Sequence, residues 1–115
     1  MRLTLPWPPS VNHYWRSVRG RAILSAEGRA YRALAQTWRM LAPPLAGRLS
    51  VRLELHAPDK RRRDLDNALK APLDALTHAG VYDDDSQIDR LEVVRGDVDA
   101  GNPRVEIEIT EDTYA

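Results

Sequence analysis

The sequence predicts a small α+β domain, a mixed β-sheet with two main helices packed mainly on one face, and three observations predict it. Apolar and polar residues alternate over Arg48 to Ala57, the period of a half-buried strand. Apolar residues recur every three or four positions over 25–41 and 67–79, the period of amphipathic helices. Strand-like and helix-like stretches interleave along the chain. With 115 residues, no internal repeat and no linker, the chain reads as a single domain over residues 1–115 with one modest core.

Arg2 to Leu5 alternates and reads as a short strand, stopped by Pro6-Trp7-Pro8-Pro9, because proline cannot bond into a ladder. Val11 to Arg16 reads as a loop that interleaves aromatic and basic groups and leads through Arg19-Gly20-Arg21 to a short strand near Ala22 to Leu24. Ser25 is an N-cap for a helix to about Leu41, with Ala30, Leu34, Trp38 and Leu41 on one face and Pro43-Pro44 as its stop. The clearest strand follows at Arg48 to Ala57, with Leu49, Val51, Leu53 and Leu55 inward. A second helix runs from about Asn67 to Ala79, capped by Asp66 or Asn67 and closed by Gly80, with Leu69, Leu73 and Leu76 as its apolar stripe. Pro72 inside it removes a backbone bond at a cost of ~3 kcal/mol, so either the regular helix starts later or it kinks there. Ile88 to Val94 and Arg104 to Thr110 read as strands forming a hairpin through Asp99 to Pro103.

Cysteine is absent, which excludes disulfides and thiolate metal sites. The start, Met1 to Pro6, has no signal-peptide core, and no stretch is apolar enough to span a bilayer, so a soluble, cytoplasmic protein is expected. The zero formal net charge conceals a segregation: residues 1–63 hold 13 basic against 3 acidic side chains, a net +10, and residues 64–115 hold 4 against 14, a net −10. One part suited to a polyanion and another suited to gathering cations gives this pattern; surface ion pairs between the halves would give it too.

The sign changes inside Lys60-Arg61-Arg62-Arg63-Asp64-Leu65-Asp66-Asn67, followed by Lys70 and the triplet Asp83-Asp84-Asp85. Asp64 and Asp66 leave the same side of an extended segment with α-carbons ~6.6 Å apart, which suits bracketing hard cations, although Asp-X-Asp before a helix also serves as a cap and turn. A strand, helix and loop unit can fold the later carboxylates back toward that pair, although a charge run is also an ordinary solvated turn. Carboxylates beside phosphate-binding arginines make chemical sense when divalent cations lie between them and a phosphate, which points to metal-dependent phosphodiester hydrolysis. Lys70, one turn after Asp66, is placed to neutralise transition-state charge or to pair with Asp66 or Asp74. Lys60, Arg61, Arg62 and Arg63 offer phosphate contacts, as do Arg16, Arg19 and Arg21. Tyr14 and Trp15 could stack on an exposed base or pack against the sheet. His13, His56 and His78 receive no role.

With those residues in view, the chain resembles the RusA-type Holliday junction resolvases. The resemblance covers Leu5 to Ser10, Arg19-Gly20-Arg21, Ser25 to Gly28, Ala30-Tyr31-Arg32, Pro58 to Asn67, Lys70, Asp74 to Gly80, Asp84-Asp85 and Gln87. It implies a homodimer that makes paired symmetric nicks in four-way junction DNA, dependent on Mg2+ with Mn2+ as a substitute and using no organic cofactor or membrane. It also implies that Asp64, Asp66 and Asp85 are the metal-binding catalytic carboxylates, that Lys70 is required, and that Asp84 assists. A less selective flap or single-strand nuclease and a non-cleaving binding module are the competing readings; cleavage of a synthetic junction separates them.

Overall fold

The structure is a computed structural model, and it describes residues 1–112. Along the chain the elements are β1 (Arg2–Pro6), α1 (Val11–Tyr14), β2 (Trp15–Val18), β3 (Arg21–Leu24), α2 (Ala26–Arg39), β4 (Arg48–His56), α3 (Leu65–Ala79), a single 3₁₀ turn (Asp85–Gln87), β5 (Ile88–Arg95) and β6 (Arg104–Asp112). The main sheet has the order β1-β6-β4-β5 and is mixed: β6 runs antiparallel to β1 and β4, while β5 runs parallel to β4. The parallel pair follows from placing α3 between β4 and β5, since a crossover helix returns the chain to the end where β4 began.

One face of the sheet and the two long helices enclose the core. Leu3, Leu5, Leu49, Val51, Leu53, Leu55, Val105, Ile107 and Ile109 meet Tyr31, Ala35, Ala71, Ala75 and Leu76. Alternation along β4 and β6 sends their charged residues to the opposite face.

Several expectations are corrected. The hairpin between β5 and β6 does not form; β6 enters the sheet between β1 and β4, and β5 is left at the edge. The connecting residues 96–103 cross the end of β4, where Gly96 N–H donates to Leu55 O (2.9 Å) and Asp99 N–H to Ala57 O (2.9 Å). The alternating Val105, Ile107 and Ile109 are buried, which suits a central strand, while Leu91 of β5 stays 44% exposed, which an edge tolerates.

The inward face of α2 is also different. Gly28, Tyr31 and Ala35 are buried, with Trp38 half-buried, while Ala30, Leu34 and Leu41 are exposed. Small residues win there because neighbouring backbone comes close: a Cβ on Gly28 would lie 2.6 Å from Tyr14 O. Residues 11–16 are a helical turn and the start of a strand instead of a loop. The Ser10 carbonyl accepts from the N–H groups of His13 (2.9 Å) and Tyr14 (2.8 Å), and β2 and β3 close through Arg19 and Gly20, both with positive φ.

Helix α3 begins at Leu65, two residues before the expected start, and includes Pro72, which is buried among Ala68, Ala71, Ala75, Leu76 and Ala79. Leu69 and Leu73 of the expected stripe are only partly buried. Gly80 closes the helix in the left-handed region.

Candidate active site

The chain leaving β4 runs through Ala57 to Arg63 and enters α3 at Asp64, which occupies the N-cap position but makes no side-chain capping bond. Asp66 lies in the first turn and Lys70 one turn later, and all three are exposed. Among the described residues, none of these three side chains makes an ion pair or hydrogen bond with the rest of the chain. The two carboxylates therefore do not serve the fold as caps, and Lys70 is paired with neither Asp66 nor Asp74.

Asp74, on the same helix, is instead consumed by packing. Arg32 donates to it through Nε (2.9 Å) and NH2 (3.3 Å), and the Tyr14 hydroxyl donates to it as well. Burial, with the Asp74 contact second, pushes the Tyr14 hydroxyl well above the usual phenol range. Tyr14 is 1% exposed and is closed to base stacking, and Trp15 carries the Arg32 guanidinium 5.7 Å from its ring centre. Both aromatics meet helices, Tyr14 at Tyr31 of α2 and Asp74 of α3, and Trp15 at Arg32 of α2, and both belong to or pack against the core that the sheet shares.

Asp64 lines two adjoining clefts. One, of about 170 Å³, is bounded by Trp7, Lys60, Arg61, Arg63, Arg95 and Gly96, and the other, of about 120 Å³, by Trp7, Pro8, Pro9, Ser10 and Asn67. The basic run divides on inspection. Arg63 is structural: its NH1 lies 2.7 Å from Asp59, its guanidinium sits 5.6 Å from the Trp7 ring centre, and its carbonyl accepts from Arg95 (2.6 Å). The Arg63 bond, with the Arg61 backbone N–H second, holds the Asp59 carboxyl below its ordinary range. Arg61 keeps 83% of its side chain exposed with Asp59 at 3.7 Å, and Lys60 and Arg62 project into solvent. Arg16, Arg19 and Arg21 stand exposed on the β2–β3 hairpin.

The acidic triplet forms a tight turn at the other end of α3. Asp84 accepts from Ser86 N–H (3.3 Å), and Gln87 Oε1 accepts from the N–H groups of Asp83 (2.8 Å) and Asp84 (2.9 Å). Competition of the neighbouring Asp84 and Asp85 carboxyls for a proton holds Asp84 low and raises Asp85. Gln87 Nε2 also donates to Gly47 O (2.9 Å), so the turn is tied to the start of β4, whereas Asp64 and Asp66 lie beyond its end. The 15 residues of α3 span about 22 Å. A single chain thus holds Asp85 on the order of 20 Å from Asp64 and Asp66 and does not bring the three together.

Among the described residues, the group of three side chains with ligand atoms within 4.8 Å of one another is Glu54, His56 and Glu106. It was not legible from sequence in full. Glu54 and His56, two apart on β4, share a face, but Glu106 joins them only through the β4–β6 register, in which Glu54 stands opposite Glu106.

A carboxylate pair without partners among the described residues, with Asp64 lining a cleft edged by Lys60, Arg61, Arg63 and Arg95, makes a candidate site of the metal-dependent, polyanion-handling class. Comparison with known proteins makes the class particular. The family model described as Endodeoxyribonuclease RusA matches residues 6–110, and the chain belongs to that family. It is 51% identical to the crossover junction endodeoxyribonuclease RusA of Enterobacteria phage 82 and 51% identical to that of Escherichia coli K12. It is 50% identical to the corresponding protein of Shigella sonnei. Each match covers 95% of this chain and 92% of the relative.

Proposed function

We propose that the chain is a structure-selective endonuclease that resolves four-way DNA junctions by paired symmetric nicks, acting in recombination and repair as a cytoplasmic homodimer. The observation that carries this reading is that Asp64, Asp66 and Lys70 are exposed charges that, among the described residues, form no ion pair or side-chain hydrogen bond, and they stand near Lys60 and Arg62 in the chain. The names of the relatives support the choice of substrate.

The donor set fits Mg2+, and Mn2+ as a substitute, because Asp64 and Asp66 offer hard, solvent-accessible oxygens that no described side chain engages in an ion pair. When bound, such an ion polarises the scissile phosphate and lowers the pKa of a coordinated water. The protein's own groups do the rest. Asp64 and Asp66 hold the ion, Lys70 offsets charge gathering on the phosphate, and Lys60, Arg61 and Arg62 seat the neighbouring backbone. Arg16, Arg19 and Arg21 on the β2–β3 hairpin extend the grip to another duplex arm.

Asp85 completes the site from a second copy of the chain. Its separation from Asp64 in one protomer supports this, and so does the two-fold symmetry of a four-way junction, which calls for two equivalent sites. Each protomer then supplies Asp64, Asp66 and Lys70 to one site and Asp85 to the other.

The test is a purified four-way junction with and without Mg2+. Paired nicks with Mg2+, and little cleavage of three-way or linear DNA, are expected. Equal cleavage of all three substrates would identify an unselective nuclease, and binding without cleavage would identify a binding module.

A further inference from the structure

Away from the carboxylates of α3, the open face of the sheet carries a buried histidine ring aimed at two acids. His56 is 8% exposed, and its Nε2 is buried without a hydrogen-bond partner. Its Nδ1 lies 2.8 Å from the Asp97 carbonyl. A carbonyl only accepts, so Nδ1 carries a proton, and in the neutral ring Nε2 presents a lone pair.

That lone pair faces Glu54 Oε1 and Glu106 Oε2, each at 3.5 Å. The other oxygen of each carboxylate is held from outside, Glu106 Oε1 by Arg104 Nε (3.1 Å) and Glu54 Oε2 by Arg52 NH1 (3.3 Å). A buried lone pair set against two anions is unfavourable unless a cation lies between them.

The cation is either a proton on Nε2 or a metal ion. A charge-assisted N–H···O bond draws its partners to about 2.7–2.9 Å, closer than either carboxylate stands. A tetrahedral ion with bonds of about 2.0–2.2 Å separates its donors by roughly 3.4 Å, close to the distances found. One imidazole nitrogen and two carboxylate oxygens suit a late first-row divalent ion.

We propose that Glu54, His56 and Glu106 form a structural site for such an ion, Zn2+ by its donor set, distinct from the carboxylates at Asp64 and Asp66. Arg52, Arg104 and the Asp97 carbonyl orient the ligands from outside, as outer partners do at other metal sites. A surface concavity of about 390 Å³ lined in part by Glu54 and Glu106 gives an ion access. The site also reaches the nuclease cleft. The His56 ring lies so close to Gly96 that a Cβ there would stand 2.5 Å from its Cε1, and Gly96 and Val98 line the cleft that holds Asp64. Binding therefore fixes one wall of that cleft.

The experiment is a Zn2+ titration of the full chain carrying Asp64→Asn and Asp66→Asn, so that uptake does not depend on the proposed nuclease site. One Zn2+ per chain is expected, with an X-ray absorption spectrum showing only nitrogen and oxygen ligands at about 2.0–2.2 Å and the outer-shell scattering of a single imidazole. His56→Gln should weaken binding by more than the roughly 10–100-fold typical of losing an outer partner. Should that variant fail to fold, Glu106→Gln, at an exposed carboxylate, should likewise weaken uptake with the fold retained by circular dichroism. No Zn2+ uptake, uptake unaltered in the folded variants, or a His56 ring that nitrogen NMR shows doubly protonated in the presence of Zn2+ would overturn the proposal.

Discussion

Along α3, Asp64 and Asp66 at the start and Asp74 in the second half are the same side chain in opposite circumstances. Asp74 is half-buried, gripped by Arg32 and Tyr14, and ties α2 to α3. The Asp64 and Asp66 side chains are exposed and bonded to nothing among the described residues. An acid that the fold uses is part of the architecture; an acid that it leaves free next to basic groups is available for chemistry.

Substitution breaks or sharpens this contrast. The largest effect on activity belongs to Asp64→Asn and Asp66→Asn, each expected to slow junction nicking by on the order of 10³-fold, the loss of several kcal/mol of transition-state stabilisation. Melting temperature and junction binding by gel shift should be nearly unchanged, and a variant that nicks at the parental rate removes that residue from the site. Asp74→Ala should do the reverse: it strands Arg32, whose side chain is 19% exposed, and should cost about 2–3 kcal/mol in urea unfolding once partial exposure is discounted. Unchanged stability would show that Asp74 does not tie the helices.

Lys70→Ala should slow single-turnover cleavage roughly 10–100-fold at saturating protein, with little change in affinity. A loss of affinity alone would make Lys70 a backbone contact. Smallest are Lys60→Ala and Arg62→Ala, each expected to weaken junction binding a few-fold and to reduce the slope of log affinity against log salt by about 1. Arg63→Ala should act differently, through stability, because its guanidinium is already engaged by Asp59 and Trp7.

Local pattern was legible and long-range arrangement was not. The alternation of Leu49, Val51, Leu53 and Leu55 located β4, and Ser25 located the start of α2, whose Oγ accepts from Gly28 N–H (3.0 Å). The expected face of α2 failed because periodicity favours large apolar residues, whereas the close Tyr14 backbone selected Gly28, Ala35 is fully buried on the same side, and Tyr31 buries its ring by donating its hydroxyl to Pro6 O (2.8 Å). The β5–β6 hairpin failed because a turn signal at Asp99 to Pro103 does not say which strands pair across it. The free carboxylates of the Asp-X-Asp motif were recognisable as candidates, but a cap and a free acid look alike in sequence. Asp85 is the instructive case: the length of α3 already implied separation, and the parallel return of β5 shows that the described chain does not close it.

The central claim, that each site draws Asp64 and Asp66 from one chain and Asp85 from another, is tested most directly by mixing two inactive variants. Asp64→Asn and Asp85→Asn protomers, unfolded and refolded together, should yield heterodimers with one intact site, so that Mg2+-dependent single nicks reappear in four-way junctions. Continued inactivity of verified heterodimers would contradict the claim, because acids drawn from a single chain leave both sites broken.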